Sequence, residues 1–301
     1  MINIIFLGTS SMIPTATRNN PSIFLAYKEE GIMIDCGENT QRQLRIAKIP
    51  PPKITRLLIT HWHGDHIFGL PGFLQTLGTS NYKKTLRVYG PKGLKKNFSD
   101  MLACLPIRAK NILDIKVSEI EKEGLFTEEE GFSISAYRLR HPAPCLGYIF
   151  KEADTRKINI EYTKRFGLVK HPLLGKLQRG QPISYKGEII TVEKGTYLKP
   201  GKKIGILLDT SLCDSCYKVA HGADLLISEA THLHELEEKA TRYKHLTAKQ
   251  AAEIAKKAGA KKLVLTHFSQ RYEKNITAIE KEASSIFPGT ICAKDFMKVE
   301  V

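Results

Sequence analysis

Four side chains that can bind metal lie close together in the segment LLITHWHGDHIFGLPGFLQ, residues 57–75. They are His61, His63, Asp65 and His66. Neutral imidazole and carboxylate oxygen are ligands that suit zinc and also manganese. Because His61 and His63 are two positions apart, both can reach one ion from an extended segment, while Asp65 and His66 can turn towards a second. The spacing therefore predicts a site for two metal ions.

Further candidate ligands stand at the ends of predicted strands elsewhere in the chain. His141 follows the alternating strand SISAYRLR, Asp209 ends the run IGILLD, and His267 follows KLVLT. Side chains at the strand ends of one layered domain can converge on one crevice. Asp209 has two oxygens and can bridge both ions. Two ions held in this way can activate water and clamp a phosphate or carbonyl oxygen.

The elements that must position these ligands are short apolar strands with helical segments between them. This alternation predicts an α/β layered domain. The chain has 301 residues, 42% hydrophobic and 26% charged, which is ordinary globular composition. We predict a single domain over 1–301. Residues 151–200 are rich in glycine and proline and lack a clear period, so we predict an inserted flexible arm there.

The arm carries a large share of the positive charge. The net charge of the chain is +15, which suggests a polyanionic partner or simply a lysine-rich solvated surface. The stretch from Tyr162 to Gly187 has no acidic residue, and its basic residues are Lys164, Arg165, Lys170, Lys176, Arg179 and Lys186. Phosphate contacts by these side chains would give salt-sensitive RNA binding, whereas the alternative is a solvated loop. We expect an apolar spine formed by Leu168, Val169, Leu173 and Leu174.

We expect neither an export signal nor a membrane span in this sequence. The opening MINIIFLGTS is too short an apolar run for a signal peptide, and Gly8 interrupts it. No stretch reaches the ~18 apolar residues of a span. We expect a cytoplasmic protein without membrane association, with its six cysteines reduced.

Two smaller motifs leave alternatives open. The pair Cys213 and Cys216 in CDSC could be half of a zinc knuckle or a redox pair, but packing near the site is favoured. The motif THLHE supplies His232 and His234, which could bind metal, although a solvated loop is the favoured interpretation.

Taken together, the motifs resemble the metallo-β-lactamase superfamily, with its H-x-H-x-D-H signature, and within it the ribonuclease Z family. The resemblance runs from FLGTSSMIPTATRNNPS to THFSQRY, about nine tenths of the chain. It implies a four-layer αββα sandwich with a protruding basic arm that clasps transfer RNA. Ala16 stands where the family loop P-x-K-x-R-N, linked to sensing the CCA end, has lysine.

The resemblance also implies a ligand set around two zinc ions per chain, with manganese or another divalent ion as the alternative. The first ion matches His61, His63 and His141, the second matches Asp65, His66 and His267, and Asp209 bridges them.

Two further motifs of the family supply a pair of catalytic residues. SEATH places Glu229, and KHLTAKQAA places His245, although Ser228 and Leu246 stand where the family has histidine and serine. In the implied mechanism His245, held by Glu229, protonates the departing 3′ oxygen, and Asp65 orients or deprotonates the nucleophile.

The predicted activity is therefore removal of the 3′ trailer from precursor tRNA, leaving a tRNA 3′-hydroxyl and a trailer 5′-phosphate. The resemblance also implies a homodimer. One alternative is a small-molecule hydrolase of the same fold, such as a lactonase or thioesterase, which needs no basic arm. Another is a non-catalytic RNA-binding protein, against which the complete ligand set argues.

Overall fold

The first strand shows how the sequence pattern is translated into structure. In β1 (Ile2–Gly8) the side chains of Ile2, Ile4 and Phe6 are buried while Asn3 is exposed, the period-two pattern of a strand. The computed structural model of the protein describes residues 1–104 and 113–301.

Strands from both ends of the chain form the first sheet. Within the described residues its strands are β1, β2 (Ser22–Tyr27), β3 (Glu30–Ile34), β4 (Arg56–Leu58), β5 (Thr85–Gly90), β6 (Asp114–Glu119) and β18 (Lys298–Glu300). They lie in the order β18-β1-β2-β3-β4-β5-β6. The strands from β18 to β3 pair antiparallel, and those from β3 to β6 pair parallel.

The second sheet is built from the later part of the chain. In the part that the structure describes, its strands are β7 (Gly124–Glu129), β8 (Phe132–Leu139), β9 (Cys145–Glu152), β14 (Lys203–Leu207), β15 (Leu225–Glu229), β16 (Leu263–Thr266) and β17 (Ile291–Cys292). Their order is β17-β16-β15-β14-β9-β8-β7. The strands from β14 to β17 pair parallel, so several of their carboxyl ends open at one edge.

The helices are short and amphipathic. Their bounds are α1 (Thr40–Ile46), α2 (Gly64–Ile67), α3 (Leu70–Thr79), α4 (Leu94–Ala103), α5 (Ile160–Lys164), α6 (Leu174–Gln178), α7 (Val192–Gly195), α8 (Asp214–Ala220), α9 (Glu237–Tyr243), α10 (Ala248–Lys257) and α11 (Ile276–Ser284). Pro71 lies in the first turn of α3, where its missing N–H costs no helical hydrogen bond. None of the described helices combines the length and apolar character that a membrane span requires.

Each sheet packs against its own helices. Leu70, Phe73, Leu74 and Leu77 of α3, at helical spacing, are buried with residues of α1, α4 and the first sheet. The second sheet buries α8, α10 and α11 in a separate apolar cluster.

The two sheets contact each other through residues of β9. The buried hydroxyl of Tyr148 donates to the carbonyl of Ile59 at 2.6 Å, and the Leu146 N–H donates to the carbonyl of Thr60 at 2.9 Å. The strands thus form two inner layers between outer layers of helix, which confirms the predicted sandwich.

A second compact unit comprises Glu129–Ser133 and Lys151–Lys202. It contains α5, α6, α7 and two strand pairs, β10 (Thr155–Ile158) with β13 (Thr196–Lys199) and β11 (Ile183–Tyr185) with β12 (Glu188–Ile190). Its core is formed by the buried side chains of Leu168, Leu174, Leu177, Ile183 and Ile190.

The apolar spine predicted for this segment is therefore correct only in part. Leu168 and Leu174 belong to the core and Leu173 packs against it, whereas Val169 is 45% exposed. The segment also has regular elements where the sequence showed no clear period, because helices of five residues are too short for a pattern to emerge.

Candidate metal centre

Four of the predicted ligands follow strands that end at the same crevice. The chain reaches His61 after β4, His141 after β8, Asp209 after β14 and His267 after β16. The strands come from both sheets, and the last residue of each is buried. The rigid sandwich thus fixes where these four side chains begin.

The HWHGDH turn supplies the other three ligands. His63 precedes α2, and Asp65 and His66 lie within that single helical turn. Gly64 begins the helix where a Cβ atom would lie 2.4 Å from the ring of Phe68. A larger residue at position 64 would therefore require the exposed ring of Phe68 to move.

The structure brings the seven residues together in two groups whose ligand atoms lie within 4.8 Å of one another. The first group is His61, His63 and His141, and the second is Asp65, His66, Asp209 and His267. These are the groupings that the sequence resemblance implies, and their role as metal ligands stays a prediction.

Asp209 contacts both groups, one with each carboxylate oxygen. Its Oδ1 lies 3.0 Å from His267 Nε2 and 3.3 Å from His66 Nε2. Its Oδ2 lies 3.8 Å from the Nε2 atoms of both His61 and His141. This is the geometry expected of a carboxylate that bridges two cations.

Two of the histidines are oriented by a buried carboxylate that sequence reasoning missed. Asp35 accepts from His66 Nδ1 at 2.6 Å and from the hydroxyl and backbone N–H of Thr60, both at 2.7 Å. Because the Thr60 proton is donated to Asp35, its oxygen can accept from His61 Nδ1 at 3.1 Å. Both imidazoles therefore present Nε2 to the crevice.

Contacts at Nδ1 also orient the imidazoles of His267 and His141. The Thr231 hydroxyl donates to Glu229 Oε2 at 2.6 Å and can accept from His267 Nδ1 at 2.9 Å. His141 Nδ1 lies 3.2 Å from the carbonyl of Lys244, whose left-handed backbone turns that carbonyl towards the imidazole. A metal-binding histidine requires this kind of support at its other nitrogen.

The chemistry of the second group fits a divalent cation. His66 Nε2, His267 Nε2 and Asp209 Oδ1 are buried atoms that find no hydrogen-bond partner among the described residues, although they lie close together. Burial opposes charge on His66, yet the nearby carboxylates of Asp209, Asp65 and Asp35 raise its pKa well above the ordinary value. A pocket that attracts protons this strongly also attracts divalent ions that displace them.

His245 and Glu229 form a pair beside the second group. Glu229 is fully buried, and its two oxygens lie 3.2 Å from His245 Nδ1. Burial opposes the charged imidazole, but the charge and hydrogen bond of Glu229 raise the pKa of His245. Glu229 also accepts from the Thr210 N–H at 2.6 Å, so its position is fixed independently of His245.

The position of His245 follows from the start of α10. Thr247 caps the helix with a reciprocal capping box to Gln250, and Leu246 is fully buried. The departure from the family serine at position 246 therefore falls on a packing residue. His245 remains free to line a cleft of about 530 Å³ together with Asp65, Asp209 and other residues of the metal centre.

The backbone at the centre is unusual for residues other than glycine. Asp35, Asp209 and His267 have φ angles of 56°, 37° and 60°, in the left-handed region. Such conformations concentrate at functional sites, where the surrounding structure enforces them.

We expect Asp35→Ala to weaken metal binding 10- to 100-fold, the usual effect of removing a residue that orients a ligand. The substitution leaves the Nδ1 proton of His66 and the Thr60 N–H without their acceptor. Competition with a chelator of known affinity measures the effect. Glu30→Gln, which removes a carboxylate paired with Arg56 at the start of β3, is the matched control and should bind metal like the parent. Equal losses in both variants would show a general loss of stability instead.

The two smaller motifs take no part in either ligand group. Cys213 and Cys216 lie beside each other with their sulfurs 3.6 Å apart. The interpretation of THLHE as a solvated loop is wrong for His232, which is 4% exposed and whose carbonyl accepts from the N–H of Ala248. His234 is partly exposed and receives a hydrogen bond from Lys249.

Comparison with known proteins first defines the class of fold. The profile described as Metallo-beta-lactamase superfamily matches residues 16–155. Among solved structures, a metallo-beta-lactamase fold protein of Bacillus subtilis, YhfI, superposes with a TM-score of 0.72 at 20% identity, covering 100% of this chain and 99% of that one. The fold is the metallo-beta-lactamase fold.

Relatives that match over nearly their full length define the family more narrowly. The chain is 39% identical to a ribonuclease Z of Methanothermobacter thermautotrophicus, covering 100% of this chain and 97% of that protein. It is 38% identical to a ribonuclease Z of Brevibacillus brevis, covering 99% and 96%. The structure of the short form of human tRNase Z matches with a TM-score of 0.70 and 28% identity, covering 99% of both chains. The chain belongs to the ribonuclease Z family, which confirms the predicted class of enzyme, a ribonuclease.

Proposed function

We propose that the protein is a zinc-dependent endoribonuclease that removes the 3′ trailer from precursor tRNA, leaving a tRNA 3′-hydroxyl and a trailer 5′-phosphate. The observation that carries the proposal is full-length similarity to ribonuclease Z, together with a cleft that combines both ligand groups and the Glu229–His245 pair. Precursor tRNA is the substrate class, and no small-molecule substrate is needed to account for the basic segment.

The residues of the centre favour zinc, because five of the seven candidate ligands are imidazoles. Bound divalent ions would supply an activated water and neutralise the charge of the phosphate. His61, His63 and His141 would hold one ion, Asp65, His66 and His267 the other, and Asp209 both. Metal analysis of the purified protein tests both the identity and the number of ions.

The chain's own residues account for the proton transfers. Asp65 lies in the cleft 3.2 Å from His66 Nε2 and 3.6 Å from His267 Nε2, and its second oxygen can accept a proton or orient the nucleophile. Burial alone would raise the pKa of Asp65, but the charge of His66 and the nearby Nε2 atoms of His66 and His267 hold it well below the ordinary range. Asp65 therefore stays ionised and serves to orient the nucleophile. His245, charged beside Glu229, donates the proton to the departing 3′ oxygen.

Incubation with a 3′-extended tRNA precursor, followed by mapping of both new ends, tests the activity. The proposal requires a single cut after the discriminator nucleotide and the two end groups given above. Hydrolysis of a small phosphodiester without cleavage of the precursor would favour the small-molecule hydrolase. Binding of the precursor without cleavage, equal before and after chelation, would favour the RNA-binding protein.

The second compact unit is the proposed tRNA-binding arm. The side chains of Lys164, Arg165, Lys170, Lys176, Arg179 and Lys186 are all exposed. Because the unit has its own apolar core, its folded surface can present these charges in fixed positions. The guanidinium of Arg165 lies 5.9 Å from the ring of Tyr162, and the Lys186 ammonium 5.4 Å from that of Tyr185, so part of the charge is held over aromatic faces.

Neutralising the six basic residues of the arm with glutamine is expected to weaken precursor tRNA binding and flatten its dependence on salt. Each lost phosphate contact should lower the log–log slope by ~0.7–0.9. Hydrolysis of a nitrophenyl phosphodiester should persist, because the candidate ligands all lie outside this segment. Point substitutions are preferable to deletion because they leave the core of the unit in place.

The matched control neutralises six exposed lysines of the larger unit, and so makes the same change in net charge. These are Lys83, Lys84, Lys122, Lys256, Lys257 and Lys262. The control should keep most of the parent's affinity for precursor tRNA and most of the salt dependence of that affinity. Equal effects in the two variants would mean that total charge, rather than the arm, determines binding.

Two further expectations follow from the family resemblance and stay predictions. We expect a homodimer, which light scattering of the purified protein measures directly. We also expect a cytoplasmic location, which fractionation of the source cells would establish.

A further inference from the structure

We propose that Cys213 and Cys216 form a reversible thiol–disulfide site that takes hydroperoxides as its oxidant. Cys213 immediately precedes α8 and Cys216 lies in the first turn of that helix, with the two sulfurs 3.6 Å from each other. A disulfide requires a separation of about 2.05 Å, so the sulfurs need approach by only ~1.5 Å. This site is separate from the proposed nuclease chemistry.

The two thiols differ in ways that suit unequal roles. Cys213 is partly exposed, whereas Cys216 is fully buried. The thiol of Cys216 donates to Cys213 and thereby lowers the pKa of Cys213 to about 6, against the opposing effect of burial. Hydrogen bonding to Cys213 and burial raise the pKa of Cys216 above its ordinary range. An accessible thiolate beside a protonated resolving thiol is the arrangement found at redox-sensitive cysteines.

The other cysteines lack this combination. Burial raises the pKa of the thiols of Cys36, Cys145 and Cys292. Cys104 is exposed and would compete for the oxidant, so it is replaced by serine in the test. In the part of the chain that the structure describes, no third ligand-type side chain joins the pair in a metal-binding group, which argues against half of a zinc knuckle.

The chemistry balances with one peroxide per pair. The Cys213 thiolate attacks the peroxide, the O–O bond breaks, and a sulfenic acid and one water form once a proton is taken up. The sulfur of Cys216 then attacks the sulfenic sulfur, forming the S–S bond, and the departing hydroxide takes the Cys216 proton and leaves as water. Both thiols are oxidised, and hydrogen peroxide is reduced to two waters.

The pair lies next to residues that position the metal centre. The Thr210 hydroxyl is 3.9 Å from Cys213 Sγ, and the carbonyl of Ser211 is 3.9 Å from Cys216 Sγ. The N–H of Thr210 donates to Glu229 at 2.6 Å, and its hydroxyl accepts from the N–H of Arg140 at 3.1 Å. Closing the disulfide would therefore pull on the segment that directly follows Asp209.

The test treats the metal-loaded protein carrying Cys104→Ser with one equivalent of hydrogen peroxide and measures intact mass and peptide masses. We expect a loss of about 2 Da per chain, located in the peptide that contains both cysteines and reversed by dithiothreitol. Cys216→Ser in the same background should instead accumulate a sulfenic acid on Cys213 that dimedone traps.

The pH dependence of alkylation gives an independent readout. The rate of alkylation at Cys213 should fall only about tenfold from pH 7 to pH 5, whereas the rate at an ordinary thiol falls ~100-fold over the same range. The proposal is overturned if the Cys213–Cys216 peptide stays reduced while other cysteines oxidise. It is also overturned if the mass change is an addition of oxygen that dithiothreitol does not reverse. Neither readout depends on RNA cleavage, so the result is independent of the proposed function.

Discussion

Asp209→Ala is expected to abolish cleavage of precursor tRNA and to remove metal from both ligand groups at once. Its two oxygens face different groups, so one substitution deletes a ligand from each. It also leaves His66 and His267 buried without one of the carboxylates that balance their charge. Losing one partner of such a buried charged cluster costs ~3–5 kcal/mol, so the variant should also be less stable. Metal analysis and thermal unfolding measure the two effects.

Asp214→Ala is the matched control for this prediction. It removes the same charge from an exposed residue five positions further along the chain, in the first turn of α8. It should keep its metal and its activity. Two ions per chain and normal turnover in Asp209→Ala would show that the carboxylate does not bridge.

His245→Ala should slow cleavage of precursor tRNA by ~10²- to 10⁴-fold, the usual size of a general-acid contribution. The metal content should stay nearly unchanged. The prediction rests on the bond to Glu229, whose oxygens are already occupied by Thr210 and Thr231 and are therefore poorly placed to bind metal. A nitrophenyl phosphodiester has a good leaving group that needs no proton. Its hydrolysis should therefore lose far less than cleavage of RNA.

Two controls separate the roles that His245 could have. His221→Ala removes an exposed imidazole at the end of α8 and should have no effect. Glu229→Gln should reduce RNA cleavage by the same mechanism as His245→Ala, because the amide cannot hold the imidazole charged. The possible ligand atoms of Glu229, His245 and His267 also lie within 4.8 Å of one another. Loss of metal in His245→Ala would therefore identify His245 as a ligand. Equal losses on both substrates would contradict its role as an acid.

Much of the metal centre could be predicted because its candidate ligands follow runs of strand-forming residues, where the local sequence pattern is strongest. His61, His141, Asp209 and His267 each follow a run of strand-forming residues, and the end of a strand fixes the direction of the chain. Asp35 has the same signal, since it ends the apolar run GIMID, but no histidine close by in sequence marks it as part of a metal site.

The remaining support could not be predicted from sequence. Thr60, Thr231 and the carbonyl of Lys244 act through contacts between residues distant in the chain, and their types are common in any loop. The core of the second compact unit could be predicted only in part, at Leu168 and Leu174. Its buried residues come from several very short elements, so their common burial depends on tertiary packing and produces no periodic pattern.

The left-handed backbone at Asp35, Asp209 and His267 has a consequence for the amount of enzyme in a cell. Each such conformation costs of order 1–3 kcal/mol, and the buried charges around them add to that cost. Ions that bind only the folded chain offset it, by ~1.4 kcal/mol for each tenfold rise in free metal above the dissociation constant. Metal scarcity would then lower the folded fraction and expose the chain to proteolysis, in addition to slowing catalysis. The supply of metal would thus set how many copies of this enzyme persist as well as how fast each one works.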